Sequence, residues 1–76
     1  MKTNKREMVK LLRKAQRFQI ESNREVMVCS YYDKGHLWFT VSCHIGDKHP
    51  SVSIYEWRSP EENANNLENY INAMTL

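Results

Sequence analysis

The chain has 76 residues, 41% of them hydrophobic and 26% charged, a composition typical of a folded globular domain and unlike that of a disordered chain. A chain of this length encloses one hydrophobic core, so we predict a single domain over residues 1–76. No apolar run approaches the roughly 20 residues that span a bilayer, and the basic N-terminus lacks the apolar core of a signal peptide. We therefore expect a cytoplasmic protein that does not insert into membranes.

The formal net charge of +2 conceals an asymmetry along the chain. Residues 1–20 carry seven lysines and arginines against one acidic residue, whereas residues 21–76 carry four basic and eight acidic residues. The sequence thus predicts a basic N-terminal segment on an acidic body. A segment of one charge sign attracts polyanions or acidic protein surfaces.

A first helix is predicted over about residues 4–20, where Asn4 suits the N-cap position and Glu7 follows at the spacing of a capping box. Apolar residues recur every three or four positions on one face: Met8, Leu11, Leu12, Ala15 and Phe18. The opposite face carries the candidate binding residues Arg6, Lys10, Arg13, Lys14 and Arg17. One interpretation of these residues is a solvated structural face, although such a face usually mixes both charge signs. The other is a binding site for an anionic partner, and both interpretations stay open.

Three strands are predicted, over about residues 24–32, 36–45 and 51–57. The second strand is the centre of the fold, because every other residue in it is apolar: Leu37, Phe39, Val41, Cys43 and Ile45. This alternation is the period of a strand that buries one side. Val52 and Ile54 of the third strand are expected to point into the same core.

The first hairpin turns at Asp33-Lys34-Gly35, and its register has two solutions. A three-residue loop with Gly35 in the left-handed conformation sends the side chains of Met27, Cys29 and Tyr31 to the core. A two-residue loop at Lys34-Gly35 instead buries Val26, Val28 and Ser30, because a slip of one residue exchanges the faces. We favour the three-residue loop.

The outer face of the sheet carries an unusual concentration of rings, which we take as a candidate contact face: His36, Trp38, Tyr55 and Trp57. Cross-strand aromatic pairing that stabilises a small sheet accounts for such a face. The same rings also suit a stacking platform for bases or a dimer interface. The sequence leaves these alternatives open.

The chain has two cysteines, Cys29 and Cys43. Either hairpin register places them roughly 10–13 Å apart along neighbouring strands, beyond the reach of a disulfide. We expect free thiols in a reducing compartment. Because the chain has neither a Cys-x-x-Cys spacing nor a glycine-rich phosphate loop, we expect no metal, no cofactor and no enzymatic activity.

A second helix is predicted over about residues 60–74, where Ser59 suits the cap, Pro60 the first turn and Glu62 the third position after the cap. Its buried stripe is predicted to contain Ala64, Leu67, Tyr70, Ile71 and Met74. The predicted fold class is therefore α+β, in the order α-β-β-β-α. It has a three-stranded antiparallel meander with both helices packed on one face.

This order and three short segments resemble the double-stranded-RNA-binding domain: Gly35-His36, Phe39-Thr40-Val41 and Ile45-Gly46-Asp47-Lys48. The resemblance implies that topology and makes His36 a candidate contact. The family also has a lysine-rich start to its last helix, on a Lys-Lys-x-Ala-Lys pattern, where this chain has Pro60-Glu61-Glu62-Asn63-Ala64-Asn65. Carboxylates at that place repel phosphates, so the RNA-binding activity is not carried over.

The sequence therefore predicts a small binding module with a role in protein–protein interaction or as an accessory or regulatory protein. Its expected partner is an acidic protein surface or a second copy of the chain. The alternative is binding of RNA or DNA through the basic face of the first helix.

Overall fold

The structure is a computed structural model that describes residues 1–75. It confirms the predicted order of elements and a single antiparallel sheet with strand order β1-β2-β3. The predicted bounds are correct to within two residues, and the topological part of the resemblance is confirmed. The elements are α1 (Lys5–Glu21), β1 (Glu25–Asp33), β2 (His36–His44), β3 (Ser51–Tyr55) and α2 (Pro60–Thr75).

Both helices begin at the predicted caps. The Asn4 side chain accepts a hydrogen bond of 2.8 Å from the Glu7 amide, and the Ser59 hydroxyl accepts one of 3.1 Å from the Glu62 amide. Each cap satisfies an amide that the first helical turn leaves without a partner. The start of each helix is therefore fixed by local sequence.

One core forms between the helices and a single face of the sheet. Phe39, Val41 and Cys43 of β2 are buried there, as the alternation predicts, together with Ile54 of β3. The helices contribute Met8, Ala15, Leu67 and Tyr70 to the same cluster. The prediction that both helices cover one face is confirmed, and the other face of the sheet is left uncovered by them.

The predicted three-residue hairpin loop is wrong, and the two-residue alternative is correct. Asp33 pairs with His36, so the loop consists of Lys34 and Gly35 alone, with φ of 53° and 81°. Positive φ at both central residues is the signature of a type I′ turn, whose twist matches that of the flanking strands. Val26 and Val28 therefore pack against the core, whereas Met27 is 61% exposed.

The prediction of the buried stripe on α2 missed one polar residue. Asn63 is fully buried, while its neighbour Ala64 is only half-buried. The Asn63 amide nitrogen donates to Thr3 Oγ1 at 2.8 Å and to the Tyr55 carbonyl at 2.7 Å, and its oxygen accepts from the Tyr55 amide at 3.4 Å. This side chain thus joins the N-terminal segment, the end of β3 and the start of α2.

Asn63→Ala is expected to lower the free energy of unfolding by about 2–3 kcal/mol, because it removes three hydrogen bonds and leaves the buried Thr3 hydroxyl and the partly buried main-chain groups of Tyr55 without this partner. Urea denaturation monitored by circular dichroism measures the change. Asn65→Ala on the exposed side of α2 is the control and is expected to change stability by less than about 0.5 kcal/mol. Equal effects of the two substitutions would contradict the role given to Asn63.

Lys34→Asn is expected to stabilise the protein by about 0.5–1 kcal/mol, because asparagine tolerates the left-handed conformation better than lysine. The urea midpoint should rise with an unchanged slope. Lys48→Asn, in the other turn, lies at a position without positive φ and should give no gain. A destabilised Lys34→Asn variant would count against the two-residue turn.

Candidate binding surfaces

The first candidate surface is the basic face of α1, defined by Arg6, Lys10, Arg13, Lys14 and Arg17. All five side chains are exposed, on the side of the helix that faces away from Met8 and Ala15. Arg17 forms an i,i+4 ion pair with Glu21 at 3.1 Å. Within residues 1–75 the other four form no ion pair, so most of this positive charge is not neutralised by the fold.

The neighbouring helix has the opposite charge. α2 begins with Glu61 and Glu62, and only Glu62 has an ion pair in the described part of the chain, with Arg58 at 3.4 Å. Since α1 and α2 contact each other on the same face of the sheet, the helical layer has a basic half and an acidic half. An extended anion that crossed both helices would meet repulsion on α2.

The second candidate surface is the aromatic row on the outer sheet face, formed by Tyr31, Trp38, Tyr55 and Trp57. Successive rings are stacked, with centroid separations of 4.2 Å, 5.7 Å and 4.5 Å. The row therefore crosses all three strands and continues into the turn after β3. Tyr31 belongs to the row because of the two-residue hairpin loop, whereas the three-residue loop favoured from the sequence would have pointed this side chain into the core.

Stacking within the row limits what the row can bind. Trp38 has a ring on each side, and Tyr55 lies between Trp38 and Trp57 with the Arg58 guanidinium 4.6 Å from its ring centroid. A base needs an open ring face to stack on. The two inner rings do not offer one, so the arrangement favours the cross-strand pairing interpretation over a base-stacking platform.

His36 lies at the end of the aromatic row and joins it to a charged cluster. Its ring contacts Trp57 edge to face at 6.4 Å, and its Nδ1 lies 3.4 Å from a carboxylate oxygen of Glu56. The other carboxylate oxygen lies 3.4 Å from Lys5 Nζ. His36 therefore has partners within the fold. Glu56 was not predicted as one of them, because the alternation of apolar residues along the third strand does not indicate a charged contact.

Three influences set the pKa of the Glu56 carboxyl. Burial raises it, but the hydrogen bond with His36 and the nearby Lys5 ammonium together outweigh burial, and the pKa falls below its ordinary value of 4.5. The folded state therefore favours the ionised carboxylate. The stability that the cluster of Glu56, His36 and Lys5 gives to the fold therefore depends on pH.

A groove of about 640 Å³ lies between the C-terminal ends of the two helices. Phe18, Ile71 and Met74 supply its apolar wall, and Lys14 and Arg17 bring the end of the basic face to its rim. The groove therefore extends the basic face of α1 toward α2. An apolar side chain of a docked segment would fit it beside the cations.

One pair of histidines lies close together in the structure. His44 and His49 place their Nδ1 atoms 3.4 Å apart, but across residues 1–75 no three His, Cys, Asp or Glu side chains are grouped to hold a metal ion. Cys29 and Cys43 are both free thiols, and Cys43 is buried. The prediction that they form no disulfide with each other is confirmed.

Comparison with known proteins gives no relative: no protein family, no curated protein and no solved structure matches this chain. Among the described residues, neither helix has the length and apolar character needed to cross a membrane. The function of this chain is therefore inferred from its own fold and surfaces.

The Glu56 cluster predicts how stability depends on pH. Because the pKa is lowered in the folded state, the carboxylate stabilises the fold fully above pH 4.5, and this contribution is lost as the pH falls through the lowered value. The free energy of unfolding of the wild type should fall more steeply below about pH 4.5 than that of Glu56→Gln. Glu68→Gln, at an exposed position on α2, should follow the wild type, and a matching slope in Glu56→Gln would contradict the cluster.

Proposed function

We propose that this protein is a non-enzymatic binding module that docks on an acidic protein surface through the basic face of α1. The single observation that carries the proposal is an exposed row of cations that form no ion pair with any residue from 1 to 75: Arg6, Lys10, Arg13 and Lys14. Like charges at i,i+4 destabilise a helix, so the row has a cost that an acidic partner would offset.

The dimensions of the row suit an acidic helix or acidic segment of another protein. Arg6 and Arg17 are separated by about 17 Å along the axis at the helical rise. Spacings of three and four residues place the cations on one line, which a helix with carboxylates at matching spacings would complement. The groove beside Phe18 and Met74 would accept an apolar side chain of the same segment.

Two features favour a protein over a nucleic acid as the partner. The cations are confined to one helix, and the helix beside it begins with Glu61 and Glu62. A duplex presents phosphates on both sides of a groove, so a backbone that followed α1 would bring phosphates toward these carboxylates. A short acidic segment can contact α1 and the groove at the C-terminal ends of the two helices without reaching Glu61 and Glu62 at the start of α2.

Nucleic-acid binding is the second candidate, favoured by the α-β-β-β-α order shared with the double-stranded-RNA-binding domain and by the basic α1. In that case the same cations would contact phosphates, and His36 would be a contact at the hairpin. The carboxylates at the start of α2 are the main argument against this candidate.

The test measures binding of labelled poly-L-glutamate and of a short RNA duplex by fluorescence anisotropy, at low and moderate salt. We expect poly-L-glutamate to bind, and the double variant Lys10→Gln, Lys14→Gln to bind it about 5- to 30-fold more weakly, since each exposed pair contributes up to about 1 kcal/mol. Both lysines are exposed and unpaired within residues 1–75, so the variant should retain its fold.

The control is the double variant Lys34→Gln, Lys48→Gln, which removes the same charge from the two turns of the sheet and should bind like the wild type. Equal losses of affinity in the two double variants would show that binding depends on net charge alone, and would contradict a site on α1. Tighter binding of the duplex than of poly-L-glutamate at moderate salt would indicate that the partner is a nucleic acid and not an acidic protein.

A further inference from the structure

We propose that His44 and His49 form a binding site for a zinc ion at the hairpin between β2 and β3. The two imidazoles supply the protein ligands, and water completes the coordination shell. The site lies on the outer face of the sheet, at the end far from the first hairpin. This inference is independent of the basic face of α1, which lies on the helical layer.

The hairpin makes the two histidines cross-strand neighbours. Ile45 and Lys48 exchange both of their main-chain hydrogen bonds, at 3.0 Å and 2.9 Å, so they are a hydrogen-bonded pair of the ladder. The next pair, His44 and His49, is then a non-hydrogen-bonded pair, in which the side chains lie on the same face and approach each other most closely. A spacing of five residues is not a ligand signature in a sequence, so only the hairpin brings this pair to light.

The turn and the residue after His49 hold this register. The turn consists of Gly46 and Asp47 alone, and Gly46 has a φ of 61°, as the first central residue of a type II′ turn requires. Pro50 restricts the backbone of His49 to extended conformations. The Pro50 carbonyl in turn accepts a hydrogen bond of 3.1 Å from the Cys43 amide. The backbone of both histidines is therefore positioned before any ion binds.

The two rings are close enough to share one ion. Their Nδ1 atoms lie 3.4 Å apart, their ring centroids lie 4.6 Å apart, and both side chains are exposed. Two nitrogens that bind one zinc ion at about 2.0–2.1 Å and at the tetrahedral angle are about 3.3–3.4 Å apart. Neighbouring ligands in a square plane would be only about 2.9 Å apart at the same bond length. The observed separation thus matches one edge of the tetrahedron that zinc prefers.

The pair is only weakly satisfied by itself. A separation of 3.4 Å is longer than the usual range for a hydrogen bond from one neutral ring to the other. A zinc ion would use the Nδ1 lone pairs of both rings, so each ring would carry its proton on Nε2. Water can accept these protons in hydrogen bonds, because both side chains are exposed.

A carboxylate lies beside the pair and favours a cation. Glu25 of β1 is the Cα partner of His44, so the two side chains are on the same face of the sheet. Glu25, His44 and His49 also line one shallow cavity of about 250 Å³. Within residues 1–75 no three side chains are grouped as metal ligands, so we assign Glu25 no bond to the ion. Its negative charge lowers the electrostatic cost of placing a divalent cation beside two neutral rings.

Isothermal titration calorimetry of the full chain with zinc chloride tests the site. We expect one zinc ion per chain, and at least about tenfold weaker binding by His44→Gln and by His49→Gln, because either change leaves one ligand and removes the chelate. His36→Gln removes the third histidine of the chain and is the matched control. Cys29→Ser removes the thiol that is not fully buried. Both controls should bind zinc like the wild type.

NMR of the wild type locates the ion without any substitution. Zinc should shift the imidazole signals of His44 and His49 together and leave those of His36 in place, and the same concentration of Mg²⁺ should shift none, because Mg²⁺ prefers oxygen ligands. A wild type that binds no zinc at millimolar concentration overturns the proposal. Unchanged affinity in His49→Gln, or a loss of binding in Cys29→Ser, also overturns it.

Discussion

The rest of this structure depends on one buried amide, that of Asn63. It donates to Thr3 and to the Tyr55 carbonyl and accepts from the Tyr55 amide, so a single side chain connects the segment before α1, the last strand and the first turn of α2. Thr3 in turn donates to the Arg58 carbonyl at 2.7 Å. In a chain too short for a large core, such a cluster adds directional bonds where apolar burial is limited.

The two edges of the sheet differ in which main-chain groups are covered, and the two faces differ in what packs on them. On the β3 edge, Asn63 bonds both main-chain groups of Tyr55 and Arg58 Nη1 lies 3.4 Å from the Ser53 carbonyl. On the β1 edge, no hydrogen bond within residues 1–75 reaches the outward groups of Val28, Ser30 or Tyr32. The inner face is covered by the helices, while the outer face carries a row of rings stacked on one another. The basic face of α1 and the open edge of β1 lie on different parts of the fold.

Patterns that repeat were predictable from the sequence, and single geometric choices were not. The alternation from Leu37 to Cys43 and the caps at Asn4 and Ser59 predicted the elements and the core, because periodicity and capping are local. The hairpin register depends on whether Lys34 adopts a positive φ. The energy difference between the two conformations of Lys34 is small, so tertiary packing determines which register forms. The burial of Asn63 was hidden because its partners are distant in sequence. The basic face was visible as composition, but only the fold showed that four of its five cations, all except Arg17, form no ion pair within residues 1–75.

The measurement that tests this account most directly is amide hydrogen exchange, followed by NMR on a dilute sample. We expect the Tyr55 amide to be protected by Asn63 and to lose this protection in Asn63→Ala, while the amides of Ser30 and Tyr32 on the open edge of β1 exchange quickly. Protected Ser30 and Tyr32 amides, or a Tyr55 amide that exchanges as fast as they do, would contradict the claim that Asn63 covers the main chain of Tyr55 while the β1 edge from Val28 to Tyr32 stays open.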